Sequence, residues 1–182
     1  MYIRLFKKTF FLIISLTFLF SESLVLAKGS EKYPLPEFTQ ISANQWINSA
    51  PLKVSDLKGK VLMLDIWTYG CWNCYRSIPW MLTLEERFGQ QGFQIIGIHT
   101  PEFDHERERD NVIAKMQEFE ISHPVMMDNN FSYWKALNNR YWPSFYIVDK
   151  TGNIRGMFIG ETHPNTERAN QMEALISRLL KE

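Results

Sequence analysis

The chain has 182 residues, 45% of them hydrophobic and 14% aromatic, with 20 Lys and Arg against 20 Asp and Glu and two cysteines. That length holds one domain of about 100 to 200 residues plus a short extra segment. The balanced charge leaves no basic surplus for nucleic acid, two cysteines cannot build a disulfide scaffold or a four-thiolate zinc site, and so many aromatics are wrong for a disordered chain.

The charge is unevenly placed. Residues 1–27 carry Arg4, Lys7 and Lys8 against Glu22, which leaves 17 basic and 19 acidic residues from Lys28 onward. This first segment has the form of an export signal: a positive start, an uncharged apolar core over 9–20, and Val25-Leu26-Ala27 at a cleavage site. The core is shorter than the roughly 20 residues a bilayer-spanning helix needs, although extension to Ala27 would give an N-terminal membrane anchor. The sequence thus predicts a signal peptide or anchor over 1–27, a polar, Pro-containing linker over 28–36 and a folded domain over 37–182. Export would place its thiols in an oxidising, periplasmic environment.

The first strong element is Val61–Trp67, a nearly continuous apolar run of strand length, as expected for a strand covered on both faces. Ile78, Met81, Leu82 and Phe88 then recur at helical spacing over 74–88. A second buried strand is predicted over 93–98. The polar run His105-Glu106-Arg107-Glu108-Arg109-Asp110 reads as the solvated start of a helix that turns Val112, Ile113, Met116 and Phe119 inward. A third strand over 124–127, a short helix over 132–137 and a fourth strand over Ser144–Val148 follow. Lys150-Thr151-Gly152-Asn153 turns the chain into a hairpin strand over 154–159. Pro164 is predicted to open a last helix with Ala169, Met172, Leu175, Ile176 and Leu179 facing inward. Strands alternating with helices and closing in a hairpin indicate an α/β three-layer domain with a mixed sheet.

The chemistry concentrates at Cys71-Trp72-Asn73-Cys74, where the first long strand gives way to the first long helix. A helix N-terminus offers unpaired N–H groups and a partial positive charge, which favour thiolate at the nearer sulfur. Cys71 then attacks a disulfide and Cys74 resolves the mixed disulfide. Two cysteines at this spacing also suit half of a metal site or an inert structural disulfide; the strand-to-helix placement favours the redox role. Asp65 lies in the middle of the apolar strand, where a carboxyl is buried and hard to ionise. It either takes the proton of Cys74 during resolution or pairs with a Lys from another element. Pro79, five residues past Cys74, sits inside the predicted helix.

With an acid six residues before the first cysteine, Trp67 two residues after that acid, the CxxC, and Pro79, the chain resembles the thioredoxin superfamily. The stretches Pro36-Glu37-Phe38-Thr39, Leu57-Lys58-Gly59-Lys60-Val61, Asp65-Ile66-Trp67-Thr68-Tyr69, Gly97-Ile98-His99-Thr100-Pro101-Glu102-Phe103 and Asn139-Arg140-Tyr141-Trp142-Pro143 are similar to the exported thioredoxin-like domain of DipZ proteins, within the TlpA-like group of thiol-disulfide oxidoreductases. The resemblance implies a thioredoxin fold with an extra helix between the second and third strands. It implies a cis-proline at Pro143, just before a strand, with Trp142 binding an extended substrate segment through its backbone. It also implies thiol-disulfide exchange with partner proteins, in the reducing direction, with electrons from a separate membrane donor of DsbD type, because the membrane electron-transfer domain of DipZ is missing from this chain. No cofactor beyond the Cys71–Cys74 disulfide and no metal is expected. Trp72, beside the reactive sulfur, is expected to form an apolar rim that docks partners.

Departures from the family pattern bear on direction and partner. Gly70 stands where thioredoxin has a Trp, Trp72-Asn73 replaces Gly-Pro, and Ser77 occupies the position at which cytochrome c maturation reductases place a Glu. Three other functions compete, one of them a non-catalytic binding module with a structural disulfide. Thr68-Tyr69-Gly70-Cys71 matches half of a peroxiredoxin pattern, but Leu64 stands where that pattern has a Pro. A copper chaperone would add a His such as His163, yet such chaperones generally separate their cysteines by three residues. His99, His105, His123 and His163 read as surface or loop-packing residues rather than ligands, since no HxxxH or HExxH spacing occurs.

Overall fold

The computed structural model describes residues 33–182. The expected signal or anchor, and the linker before Tyr33, lie outside the described residues. Seven strands are described: β1 (Tyr33–Pro34), β2 (Trp46–Ile47), β3 (Val61–Trp67), β4 (Phe93–His99), β5 (Val125–Met127), β6 (Ser144–Val148) and β7 (Asn153–Ile159). Four α-helices accompany them: α1 (Trp72–Phe88), α2 (Arg109–Glu118), α3 (Ser132–Ala136) and α4 (Glu167–Lys181). They form one mixed sheet in the order β1-β7-β6-β3-β4-β5-β2. The β3–β4 and β4–β5 pairs are parallel and the remainder antiparallel. This is the thioredoxin fold with α2 added in the β4–β5 crossover, a connection that parallel neighbours require.

β3 is buried at all seven positions. Side chains alternate across a strand, so Val61, Met63 and Trp67 enter the core with residues of α1, α2 and α4, while Leu62, Leu64 and Ile66 enter the opposite core with Phe38, Trp46 and Tyr133. By this alternation Asp65 lies on the face shared with α1. β4 repeats the arrangement, with Ile95 and Phe93 on the α1 side and Ile96 and Ile98 on the other. Both strands are nearly continuous apolar runs because both faces are covered, with Asp65 the exception in β3 and Gln94 and His99 in β4.

Three features differ from the sequence reading. Pro164 does not open the last helix: Asn165 adopts φ 65° and Thr166 is extended, so α4 begins at Glu167, with the Thr166 hydroxyl accepting the Ala169 N–H at 3.3 Å. A Ser/Thr N-cap suits this position better than the proline two residues earlier. The polar run before α2 is not wholly solvated, because Glu106 is fully buried. The two-residue strands β1 and β2 are too short to leave a periodic pattern. β1 nonetheless pairs with β7, and Leu35 is buried just beyond it.

Asp128, also fully buried, ties the start of α3 to the sheet. It accepts the N–H groups of Tyr133 at 3.0 Å and Trp134 at 2.8 Å, and the Thr100 hydroxyl at 3.3 Å. Removing a buried acceptor strands its donors. Asp128→Ala is expected to lower stability by about 2–4 kcal/mol in urea denaturation; a loss below about 0.5 kcal/mol would show that α3 does not depend on this anchor.

Candidate active site

The site is built where β3 ends. The Trp67 carbonyl accepts the Thr100 N–H at 3.0 Å, holding the ends of β3 and the β4 strand exit together. A tight turn over 68–70 follows, closed by the Cys71 N–H donating to the Thr68 carbonyl at 3.2 Å. Cys71 is then the N-cap of α1, and its sulfur accepts the Cys74 N–H at 3.2 Å. Cys71 and Cys74 form a disulfide with a Cα–Cα separation of 5.2 Å. Cys74 is buried, whereas Cys71 is partly exposed at the helix terminus. That asymmetry matches an attacking sulfur at the surface and a resolving sulfur beneath it.

Behind the disulfide, Asp65 is buried, with β-neighbours Gly97 and Phe145. No ion pair or hydrogen bond of its carboxyl occurs among the described residues, so the alternative of a Lys partner is not met. Burial alone pushes its pKa up to about 7. His99, at the end of β4, is fully buried; burial lowers its pKa to about 4 and keeps it neutral at neutral pH. Its Nε2 lies 3.3 Å from the Thr68 hydroxyl, and its ring meets Trp67 edge-on and stacks on Tyr69. His123 is buried as well and bonds Glu85, while His105 and His163 lie at the surface, so two of the four histidines belong to the interior.

Glu106 is the residue that sequence reasoning missed. One of its oxygens accepts the Gly70 N–H at 2.9 Å; the other accepts the N–H groups of Phe103, at 2.9 Å, and Glu102. Burial alone would raise its pKa, but these donors together lower it, so the carboxylate stays ionised. The sign in the sequence is Gly70: a Cβ there would lie 2.2 Å from the Glu106 Oε1.

The remaining predicted residues surround this centre unevenly. Trp72 is 64% exposed and stacks on Tyr75, with the Arg76 guanidinium 5.9 Å from its ring centre. The Trp142-Pro143 peptide is cis. The Trp142 indole is half-buried, donating to the Thr100 carbonyl at 3.0 Å and packing on Trp134, so its side chain supports the site from the side. Pro79 lies within α1, which continues unbroken to Phe88. Ser77 is buried and bridges the Asn73 carbonyl and the Thr162 N–H.

A CxxC disulfide capping the helix after the central strand, a buried acid behind it and a cis-proline before the neighbouring strand define a TlpA-like member of the thioredoxin superfamily. Residues 30–176 match the Redoxin family, and the chain belongs to that family. It is 36% identical over 140 residues to Protein DipZ of Mycobacterium tuberculosis, across 75% of this chain and 19% of DipZ. It thus spans about a fifth of the length of that relative. Thiol-disulfide oxidoreductase YkuV of Bacillus subtilis is 22% identical over 151 residues, across 83% of this chain and 97% of YkuV. The crystal structure of a thioredoxin-like superfamily protein superposes with a TM-score of 0.71 at 27% identity, covering 82% of this chain and 97% of the other.

The burial of Asp65 makes stability depend on pH. Its folded pKa lies above the unfolded value, so the contribution is fully present below about pH 4 and is lost as pH rises toward about 7. Asp65→Asn, which cannot ionise, should therefore gain stability over the parent chain by a few kcal/mol at pH 8 and by almost nothing at pH 4. Urea denaturation of the disulfide form at both pH values checks this, and a gap that does not change with pH would contradict it.

Proposed function

We propose that this chain is an exported thiol-disulfide oxidoreductase that reduces disulfides of partner proteins. The observation that carries the reading is the partly exposed Cys71 at the N-terminus of α1, bonded to Cys74, with Asp65 buried on the sheet face that α1 covers and without a hydrogen-bond or ion-pair partner among the described residues. The relative YkuV carries the name of this activity, and the Redoxin family and the site's geometry support it.

In the reduced chain, the Cys71 thiolate attacks one sulfur of a substrate disulfide. A mixed disulfide forms and the first substrate thiolate leaves, to be protonated by water. The Cys74 thiol then passes its proton to the Asp65 carboxylate, and its sulfur attacks the Cys71 sulfur, expelling the second substrate thiolate, which takes up a proton. Two electrons move from the Cys71–Cys74 dithiol to the substrate, and the chain is left in the disulfide state. A carboxyl with a pKa of about 7 can accept and release a proton near neutral pH, as a base in this step must. A thiol donor restores the dithiol; we assign this role to a membrane reductase of DsbD type. Periplasmic location, as a soluble protein or one tethered by its N-terminus, is supported by the signal-like pattern of residues 1–27. No helix among the described residues is long and apolar enough to cross a membrane. The exposed aromatics Trp72, Tyr75, Phe103 and Tyr141 supply apolar surface for docking partner proteins.

The rival chemistries gain no support from local geometry. The Thr68 hydroxyl is engaged with His99, and the His163 imidazole with Glu161.

Cys71→Ser should abolish reduction of insulin disulfides by dithiothreitol-charged protein, and Cys74→Ser should instead accumulate mixed disulfides detectable on non-reducing gels. Full activity in both variants would overturn the assignment. Asp65→Asn should slow the second step near neutral pH by about tenfold or more, the usual contribution of a positioned base being about 100-fold or greater. Stopped-flow decay of the mixed disulfide measures it, and a rate equal to that of the parent chain across pH would remove Asp65 from the mechanism.

A further inference from the structure

A buried carboxylate costs several kcal/mol unless something compensates it. Glu106 is compensated by dipoles alone. Its two oxygens accept the N–H groups of Gly70, Glu102 and Phe103, and no ion pair with it occurs among the described residues. The groups around it are His99 from β4, which burial keeps neutral, and Tyr69 from the turn, whose hydroxyl burial, and after it the Glu106 charge, pushes toward the protonated form. The negative charge therefore persists next to the turn that delivers Cys71. Glycine at 70 is what admits it, since a Cβ would collide with the carboxylate.

Resting on the reading of this site as a thiol-disulfide exchanger, we propose that Glu106 is a positioning residue that fixes the 68–70 turn from beneath and, through its fixed charge, makes the Cys71–Cys74 couple more reducing. Two electrostatic influences meet at Cys71. The N-terminus of α1 favours the thiolate and so the reduced form. Glu106 opposes it, because a like charge disfavours an anion. A less stable thiolate means a less stable dithiol, and so a stronger tendency to give two electrons to a substrate disulfide and close the Cys71–Cys74 bond. The carboxylate also holds the Gly70 N–H, in the Tyr69–Gly70 peptide one bond before the one that joins Cys71, so its position and its field act on the same turn.

The test is the equilibrium between the chain and dithiothreitol: the disulfide form plus reduced dithiothreitol gives the dithiol form plus oxidised dithiothreitol. The parent chain and Glu106→Gln are compared by alkylation of free thiols, with the Cys71 thiolate titrated by its ultraviolet absorbance. Glutamine keeps the size and one acceptor oxygen but loses the charge. The variant should favour the dithiol form by about tenfold, equivalent to about 30 mV for a two-electron couple, with a lower Cys71 pKa. A loss of thermal stability with an unchanged equilibrium and an unchanged thiolate pKa would overturn the proposal, leaving Glu106 a turn anchor only. If Glu106→Gln does not fold, Gly70→Ala serves, because its Cβ displaces the carboxylate while keeping the charge. It should shift the equilibrium in the same direction by a smaller factor, and no shift would overturn the proposal. This equilibrium requires the disulfide but no protein substrate. It can therefore fail while Cys71→Ser still abolishes insulin reduction, and the two readings fall separately.

Discussion

The carboxyl group in the middle of the apolar strand β3 has nothing to pair with among the described residues. Asp65 lies between Leu64 and Ile66 on a strand whose every residue is buried, and its neighbours across the sheet are a glycine and a phenylalanine. Placing an acid there works against folding at neutral pH. The fold accepts this because the strand is central and ends at the turn that starts α1. The same strand that buries the acid aims the chain at Cys71, and side-chain alternation puts Asp65 on the face where Cys74 is buried.

A second carboxylate, Glu106, is buried near the same turn, and its environment acts in the opposite sense. Asp65 is dehydrated without donors and its pKa rises; Glu106 is dehydrated with donors on both oxygens and its pKa falls. When two titratable groups near one reactive pair are pushed apart, their roles separate. Asp65 can gain and lose a proton near neutral pH, while Glu106 keeps its charge and holds a peptide in place. His99 lies between the two environments: it packs against Trp67, two residues past Asp65, and lies against Thr68, at the start of the turn whose Gly70 N–H donates to Glu106.

The central strands were legible because both faces are covered, which leaves mainly apolar runs at Val61–Trp67 and Ser144–Val148. The reactive pair was legible from spacing, and Asp65 from its incongruity within an apolar run. Glu106 was not, because charged runs before helices are usually solvated and the donor that ties it to the site, the Gly70 N–H, is 36 residues away. Gly70 was visible as a departure from the thioredoxin pattern, but its meaning depends on the carboxylate that packs against it. Two-residue strands and the exact start of α4 escaped for a simpler reason. Backbone pairing and an N-cap hydroxyl decide them, and neither leaves a hydrophobic period.

The most direct test of this account is a titration of the Asp65 carboxyl carbon by NMR in the disulfide form, assigned by comparison with Asp65→Asn. The account predicts an inflection near pH 7. An inflection near pH 4, the value of an exposed aspartate, would show that the group is not the buried proton acceptor on which the mechanism depends.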